Sequence, residues 1–205
     1  MIAPSHIYLA SQSPRRRELL KQIGIGFEIL LLRNDPRRLL DADETPQENE
    51  NPVDYVQRVC RAKATAGWDA MLLRRLPPLP VLSADTTVTL DNRIFGKPTN
   101  QQEAAAALRA LSGRQHQVLS AVAVAFGDRL ELALSTTTVT FATLSEERIR
   151  RYLHSNEGHD KAGGYAIQGQ AGAFVQRIEG SYSGVMGLPL YECSELLRNF
   201  GYPAP

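Results

Sequence analysis

The stretch V-L-S-A-D-T-T-V-T-L-D-N-R-I-F-G-K-P, residues 81–98, decides how this chain folds. It begins as a mostly apolar, β-branched run, which predicts a buried strand, and Asp91-Asn92 then predicts a hairpin turn. The returning strand, Arg93 to Phe95, is followed by Lys97, so the hairpin brings this amine back towards the strand that carries Asp85. A lone carboxylate inside a buried strand is costly unless it is paired, protonated or used in chemistry.

Asp85 and Lys97 have two interpretations. An acid and an amine on one rigid hairpin suit phosphate chemistry, because the acid can orient water or a metal ion while the amine neutralises phosphate oxygens. The alternative is a half-exposed hairpin with one structural ion pair, and the hairpin taken alone favours it. The other segments of the chain must therefore decide between the two.

The overall composition excludes several classes of function. The 205 residues include 23 Lys+Arg and 22 Asp+Glu, and their formal net charge of +1 gives no global attraction to nucleic acid or acidic membranes. Any anion site must therefore be local. Cys60 and Cys193 lie far apart without a C-x-x-C pattern, which predicts two core thiols in a reducing compartment.

The chain lacks the signals of export or of membrane insertion. Residues 1–11 have no basic start, long apolar core or cleavage pattern, and the longest uninterrupted apolar stretch lies within Ala121 to Phe126. We therefore expect a soluble, cytoplasmic protein that binds neither a membrane nor nucleic acid.

A basic cluster follows the first predicted strand, Ile7 to Ala10. Ser13 fits a helix N-cap and Pro14 the first helical position, which places Arg15, Arg16 and Arg17 in the first turn. Cations are unfavourable there because the helix dipole is already positive, so a bound anion would explain them. Backbone N–H groups, the Ser11 and Ser13 hydroxyls and a guanidinium would converge on a phosphate. The alternative is a solvated basic turn.

The segment before the hairpin supplies weaker candidates. Phe27 to Leu32 predicts a second strand, and the polar stretch Arg33 to Asn51 predicts a loop. Within this loop, Asp41-Ala42-Asp43-Glu44 is either a source of metal ligands or a solvated acidic cluster. A helix then begins at Asn51-Pro52, and Lys63 is expected near its end, where lysines are routine.

The order of predicted elements defines the fold class. After the hairpin come a helix over Gln101 to Leu111, strands over Gln117 to Phe126 and Arg129 to Thr143, and a helix capped by Ser145. This mixture predicts an α/β protein with a mixed twisted sheet and flanking helices, formed by residues 1–205 as a single domain. Residues 155–189 are dense in glycine but contain no P-loop motif.

Four segments together resemble the Maf-like nucleoside triphosphate pyrophosphatases. Their order and spacing extend over nearly the whole chain, and the last two most resemble the branch that acts on dTTP and UTP. The segments are L-A-S-Q-S-P-R-R at 9–16, S-A-D-T-T at 83–87 with G-K-P at 96–98, K-A-G-G-Y-A-I-Q-G at 161–169, and I-E-G-S-Y-S at 178–183 with G-L-P-L at 187–190.

The resemblance implies a cytoplasmic, homodimeric enzyme that converts nucleoside triphosphates to the monophosphate and pyrophosphate. It also implies two lobes around a central nucleotide cleft and a divalent cation, Mg²⁺ or Mn²⁺. By the same resemblance, Asp85 is the catalytic proton acceptor, and Arg15, Thr86 and Gln168 are associated with substrate choice. The positions that line the phosphate side are Ser11, Arg16, Glu44, Lys63 and Lys97, with Glu44 and Asp85 as candidate metal ligands.

Several alternatives remain open at the level of sequence. Asp85 is either a general base or mainly a metal ligand. Gln168 either pairs its amide with the N–H and C=O of a uracil or thymine edge, or merely ties down the glycine-rich loop. A related branch acts on 7-methyl-GTP, and the family's link to septum formation suggests a non-catalytic, nucleotide-binding regulator of cell division. The presence of Asp85 together with Lys97 favours an enzyme.

Overall fold

Strand β3 (Val81–Leu90) lies at the centre of a mixed sheet in the computed structural model, which describes residues 6–32 and 43–205. The order across the sheet is β2-β1-β3-β5-β6-β7, with β4 paired to β3 as well. Strand β1 runs parallel to both of its neighbours and the other pairs are antiparallel, so the predicted mixed α/β sheet is confirmed. The other strands are β1 (His6–Leu9), β2 (Gly26–Ile29), β4 (Arg93–Phe95), β5 (Gln115–Phe126), β6 (Arg129–Phe141) and β7 (Val175–Glu179).

Helices cover both faces of this sheet. Helix α2 packs against β3 and β5 on one face, while α1 and α6 share a second apolar cluster with β1, β3 and β5 on the other. The helices are α1 (Pro14–Gln22), α2 (Pro52–Leu73), α3 (Gln101–Leu111), α4 (Glu146–His154), α5 (Tyr182–Met186) and α6 (Leu190–Asn199), with 3₁₀ turns at Ala162–Gly164 and Gln170–Phe174. In the described parts of the chain, none of the helices combines the length and apolar character that a membrane crossing requires.

Local sequence signals place most element boundaries. The hairpin turn is confirmed, because Asp91 and Asn92 take positive φ values of 51° and 62° between β3 and β4. The predicted second strand is shorter than expected and ends at Ile29. The prediction that Lys63 lies near a helix end is wrong, because α2 continues for 22 residues and Lys63 falls in its middle.

The two faces of β3 differ in chemistry. Successive side chains of a strand point to opposite faces, so Ala84, Thr86 and Val88 share one face while Ser83 and Asp85 share the other. Ala84 and Val88 belong to apolar clusters away from α2. Ser83 donates a hydrogen bond to the Cys60 carbonyl of α2 at 2.9 Å, which places Asp85 on the α2 face.

One edge of β3 is open at its midpoint. Strand β1 pairs with it only at Val81 and Leu82, and β4 pairs only from Val88 to Leu90. Among the described residues, no strand pairs with residues 83–87 along this edge, although β5 pairs with all of them on the other side. Asp85 and Thr86 therefore lie where the sheet forks, between the loop that follows β1 and the loop that follows β4.

Candidate active site

The fork in the sheet opens into a cavity of about 470 Å³, a size usual for small-molecule sites. One end is polar and receives Ser11 and Arg16 from the β1–α1 segment, Lys63 from α2 and Lys97 from the loop after β4. The other end is apolar and is lined by Val88, Val118, Tyr165, Val185 and Met186. A cavity with one cationic and one apolar end suits a molecule that joins an anionic chain to an uncharged ring.

Two carboxylates meet on the ammonium of Lys63, a residue of the cavity lining, although Glu44 and Asp85 are not themselves part of that lining. The Lys63 Nζ lies 2.7 Å from the Asp85 Oδ1 and 2.7 Å from the Glu44 Oε1. Asp85 is only 7% exposed, so the ion pair with Lys63 offsets the cost of burying its charge. Lys97, which is well exposed, lies 4.0 Å from the other Glu44 oxygen. The structure thus unites four charged groups that are scattered along the sequence.

The surroundings of Glu44 favour the ionised form of its carboxyl. Burial would raise the pKa of its carboxyl, but the charge and hydrogen bond of Lys63, aided by Lys97 and Arg16, lower the pKa below its ordinary value. Its backbone is also held, since the Tyr55 hydroxyl donates to the Glu44 carbonyl at 2.9 Å. The position of Glu44 is therefore fixed through both its main chain and its side chain.

Arg16 is partly buried in the cavity wall, and its charge is incompletely compensated. Its Nε donates to the Gly187 carbonyl at 2.8 Å and its Nη1 to the Ser11 hydroxyl at 3.2 Å. Burial lowers the pKa of this guanidinium, and the charge of Asp85 acts in the opposite direction. Among the described residues, no carboxylate lies within ion-pair distance of Arg16, so a bound anion would supply the missing charge.

Helix α1 begins as predicted but is not capped as expected. Pro14 is its first residue and Ser13 takes the N-cap position, yet the Ser13 side chain makes no capping bond. Instead the Ser11 hydroxyl accepts a hydrogen bond from the Ser13 N–H at 3.2 Å. The first turn contains no acidic residue, so its cations remain available to the cavity, where Arg15 joins Arg16 in the lining.

The three predicted specificity residues do not all reach the cavity. Arg15 and Thr86 line it, whereas Gln168 is exposed and is not part of the lining. Burial lowers the pKa of the Arg15 guanidinium, while Tyr152, Glu18 and Glu157 oppose that change. The charge of Glu157 acts on Arg15, and the Glu157 carboxylate accepts a hydrogen bond from the Gln170 N–H at 2.8 Å. The loop that carries Gln168 therefore lies on the Arg15 side of the cavity.

Sequence reasoning gave no role to several residues of this site. Lys161 lines the cavity and forms an ion pair with its neighbour Asp160. The sequence signal that could have pointed to Lys161 is its place just before the glycine pair of the third motif. Gly187 takes a φ of +114°, and a side chain there would approach both the Thr86 hydroxyl and the Arg16 guanidinium within 4 Å. No local pattern pointed to Tyr55.

The donor set fits a hard divalent cation bound together with a substrate. Mg²⁺ commonly uses one or two carboxylates plus substrate phosphate oxygens. Glu44 and Asp85 already converge on one cationic group, the Lys63 ammonium, and each has a second oxygen. Within residues 6–32 and 43–205 there is no cluster of three or more acidic, histidine or cysteine side chains suited to a metal. Asp41 of the predicted acidic cluster lies outside the described residues.

The prediction that both cysteines are core thiols is confirmed. Cys60 and Cys193 are both buried free thiols. Burial raises the pKa of Cys60 to about 11 and that of Cys193 to about 12, so both thiols are protonated at neutral pH. Neither thiol is a nucleophile in this site.

The fold and the cavity define an α/β protein with a cleft lined by cationic side chains at a forked sheet, and comparison with known proteins gives its family. The model of a family described as Maf-like protein matches residues 6–200, and the chain belongs to that family. A Nitrosomonas europaea protein named dTTP/UTP pyrophosphatase is 55% identical over 203 residues, 98% of each chain.

Two further relatives carry the same name. The Nitrosospira multiformis dTTP/UTP pyrophosphatase is 53% identical and aligns over 95% of this chain and 94% of its own length. The Dechloromonas aromatica dTTP/UTP pyrophosphatase is 51% identical and aligns over 96% of this chain and 98% of its own length. The resemblance noted in the sequence is thereby confirmed.

Proposed function

We propose that this protein hydrolyses nucleoside triphosphates, preferentially dTTP and UTP, to the monophosphate and pyrophosphate by attack of water on the α-phosphate. The observation that carries the proposal is the Asp85–Lys63–Glu44 cluster beside the partly buried Arg16 at the open edge of β3. The names of relatives at 50% identity and above support the substrate class.

The polar end of the cavity is suited to the triphosphate. A triphosphate carries about four negative charges, which Arg16, Lys63, Lys97 and the first turn of α1 can offset in a protein with almost no net charge. Ser11 can donate to a phosphate oxygen once Arg16 holds its hydroxyl oxygen. These groups orient the triphosphate so that its α-phosphorus faces Asp85.

Asp85 is the group we assign to the proton of the attacking water. Lys63 holds its Oδ1, which leaves the Oδ2 to accept the proton. Glu44 and Asp85 would hold a divalent cation, Mg²⁺ or Mn²⁺, which when bound polarises phosphate oxygens and lowers the pKa of bound water. Lys97 then balances charge on the departing pyrophosphate.

The apolar end is suited to the base. Val88, Val118 and Met186 can contact the faces of a pyrimidine, and Arg15 and Thr86 provide polar groups at the boundary with the polar end. Gln168 is proposed as a third recognition residue, supported by its place in the family motif and by its loop on the Arg15 side.

Product analysis tests the proposed reaction. The purified protein is assayed with dTTP, UTP, CTP, dATP, dGTP and 7-methyl-GTP, with and without Mg²⁺ or Mn²⁺. We expect monophosphate plus pyrophosphate, fastest from dTTP and UTP and dependent on the cation. Nucleoside diphosphate plus orthophosphate would refute the site of cleavage, and a preference for 7-methyl-GTP would refute the specificity.

The assembly and location of the protein are proposals of the same kind. The family resemblance supports a homodimer in the cytoplasm. Sedimentation velocity at micromolar concentration would show a single species near 45 kDa, twice the chain mass of 22.6 kDa, if the dimer forms.

A further inference from the structure

A short chain of hydroxyl groups lies directly behind the cavity wall. Thr86 on β3 and Ser120 on β5 are paired across the sheet, and their side-chain oxygens lie 2.8 Å apart. The Ser120 Oγ also lies 2.6 Å from the Gly184 carbonyl oxygen of α5. Thr86 lines the cavity, whereas Ser120 is 1% exposed and is not part of the lining.

The hydrogen positions in this chain follow from chemistry. A serine hydroxyl has one hydrogen and two lone pairs, and a backbone carbonyl can only accept. Ser120 must therefore give its one hydrogen to Gly184, and it can meet Thr86 only as an acceptor. Thr86 in turn donates its one hydrogen to Ser120. The Thr86 hydroxyl can therefore accept a hydrogen bond from a ligand but cannot donate one.

Thr86 stands next to the apolar end of the cavity. Val88 lies two residues further along β3, on the same face, and it pairs with Val118 on β5 just as Thr86 pairs with Ser120. Arg16 and Gly187 also lie close to Thr86, since a side chain on Gly187 would contact both Thr86 and Arg16. The acceptor is thus placed at the boundary where a base would meet the edge of the apolar end.

We propose that Ser120 is a specificity-positioning residue that locks Thr86 as an acceptor for the N3–H of uracil or thymine. Cytosine in the same pose presents an unprotonated N3, another acceptor, so it would face the Thr86 oxygen without a hydrogen between them. Ser120 itself touches no substrate. This inference rests on the proposed function and adds to it the group that separates uracil from cytosine.

The test is the ratio of kcat/KM for UTP to that for CTP in Ser120→Ala. Without Ser120, the Thr86 hydroxyl can rotate and donate to the cytosine N3, so we expect the ratio to fall about tenfold or more, mainly through a gain in CTP use. Ser181→Ala is the matched control. The Ser181 hydroxyl accepts from the Gly184 N–H at 2.9 Å, so that change disturbs the same turn of α5 without touching Thr86, and the ratio should stay as in the native protein.

A double-mutant cycle with Thr86→Val completes the test. Valine keeps the shape but removes the hydroxyl, so the UTP preference should fall in Thr86→Val, and Ser120→Ala should then add no further change. An unchanged UTP-to-CTP ratio in folded Ser120→Ala would overturn the inference. If Ser120→Ala does not fold, an unchanged ratio in Thr86→Val would do so. An equal fall of the ratio in Ser181→Ala would also overturn it. If the native protein hydrolyses neither UTP nor dTTP, the proposed function itself fails, which is a different result.

Discussion

Asp85 shows how a single residue can break a local rule for a functional reason. It is a carboxylate in a strand whose neighbours Ala84 and Leu82 are fully buried, yet it is held by the Lys63 ammonium at 2.7 Å. Replacement of a buried ion pair by apolar residues is often neutral or stabilising, so stability alone does not explain the pair. The position of Asp85 at the open edge of the sheet gives the ion pair a functional explanation.

We expect Asp85→Asn to lower kcat for UTP about a hundredfold or more, because asparagine cannot take a proton from water. The fold should survive, since Lys63 keeps Glu44 as a partner. Steady-state kinetics and thermal unfolding of the same preparation measure both effects. Asp91→Asn makes the same chemical change at the exposed hairpin turn and should leave turnover near normal. Near-normal turnover by folded Asp85→Asn would contradict the role given to this carboxylate.

We expect Gln168→Glu to lower kcat/KM for dTTP and UTP far more than it lowers the melting temperature. A carboxylate cannot donate to a base carbonyl, and it adds negative charge on the Arg15 side of the cavity. Kinetics on the nucleotide panel give the ranking before and after the change. Gln170→Glu, which adds the same charge two residues away, is the control. An unchanged ranking in Gln168→Glu would mean that this side chain only supports its loop.

At the scale of elements, helix α2 organises the polar end of the cavity. Its residue Arg58 holds the segment that carries Glu44, because its guanidinium donates to the Asp43 and Thr45 carbonyls at 3.0 Å each. The same guanidinium pairs with Glu50 through two bonds of 2.6 and 2.8 Å. One helix thus supplies Lys63 to the cluster and also fastens the loop that brings Glu44 to it.

We expect Arg58→Met to reduce kcat/KM for UTP about tenfold, because groups that orient metal or phosphate ligands typically contribute that much. Methionine keeps most of the aliphatic stem but releases both carbonyls and Glu50. The expected signature is a higher requirement for Mg²⁺ or Mn²⁺ rather than a change in nucleotide preference. Arg61→Met, on an exposed part of the same helix, should change neither quantity. Equal cation requirements in the two variants would show that Arg58 does not position Glu44.

At the scale of the whole molecule, a buried histidine couples stability to pH. His116 is 2% exposed, its Nε2 lies 2.8 Å from the Tyr165 hydroxyl, and its ring packs edge-on against Phe141. Its Nδ1 is buried and has no hydrogen-bond partner among the described residues. Burial lowers the pKa of His116 to about 4, so the folded protein holds this imidazole neutral.

We expect the free energy of unfolding to fall by about 1.5 kcal/mol between pH 6.5 and pH 5 because of His116. The unfolded imidazole binds a proton below pH about 6.5, whereas the folded one, with its pKa near 4, does not. The contribution of His116 to the free energy of unfolding is therefore complete above the pKa of the unfolded state. It is lost as the pH falls towards the pKa of the folded state. Urea unfolding at each pH measures it.

His116→Phe is the matched variant, because it removes the titrating group and retains an aromatic ring against Phe141. Its stability should depend less on pH in this interval by the same amount, whatever its absolute stability. Tyr165→Phe keeps the buried imidazole and should keep the dependence. Equal slopes for the native protein and His116→Phe would contradict the assignment.

Sequence alone determined the features that depend on neighbours along the chain. The Asp91-Asn92 turn follows from side chains that tolerate positive φ, the start of α1 at Pro14 follows from a fixed φ and a missing N–H, and β3 follows from its β-branched residues. The family motifs were equally visible, because Asp85 and Thr86 stand in one short segment of the sequence.

Only the tertiary structure decided which distant groups meet. Arg16 bonds to Gly187 across 171 positions, and Lys63 reaches Asp85 from the middle of a helix whose length the local pattern did not reveal. The roles of Ser120 and Arg58 were equally invisible, because each depends on what lies opposite it in the sheet or beside its helix. Gln168, prominent in its motif, proved to lie outside the cavity lining. Side-chain type sets what a group can do, but strand order and helix packing set what it touches.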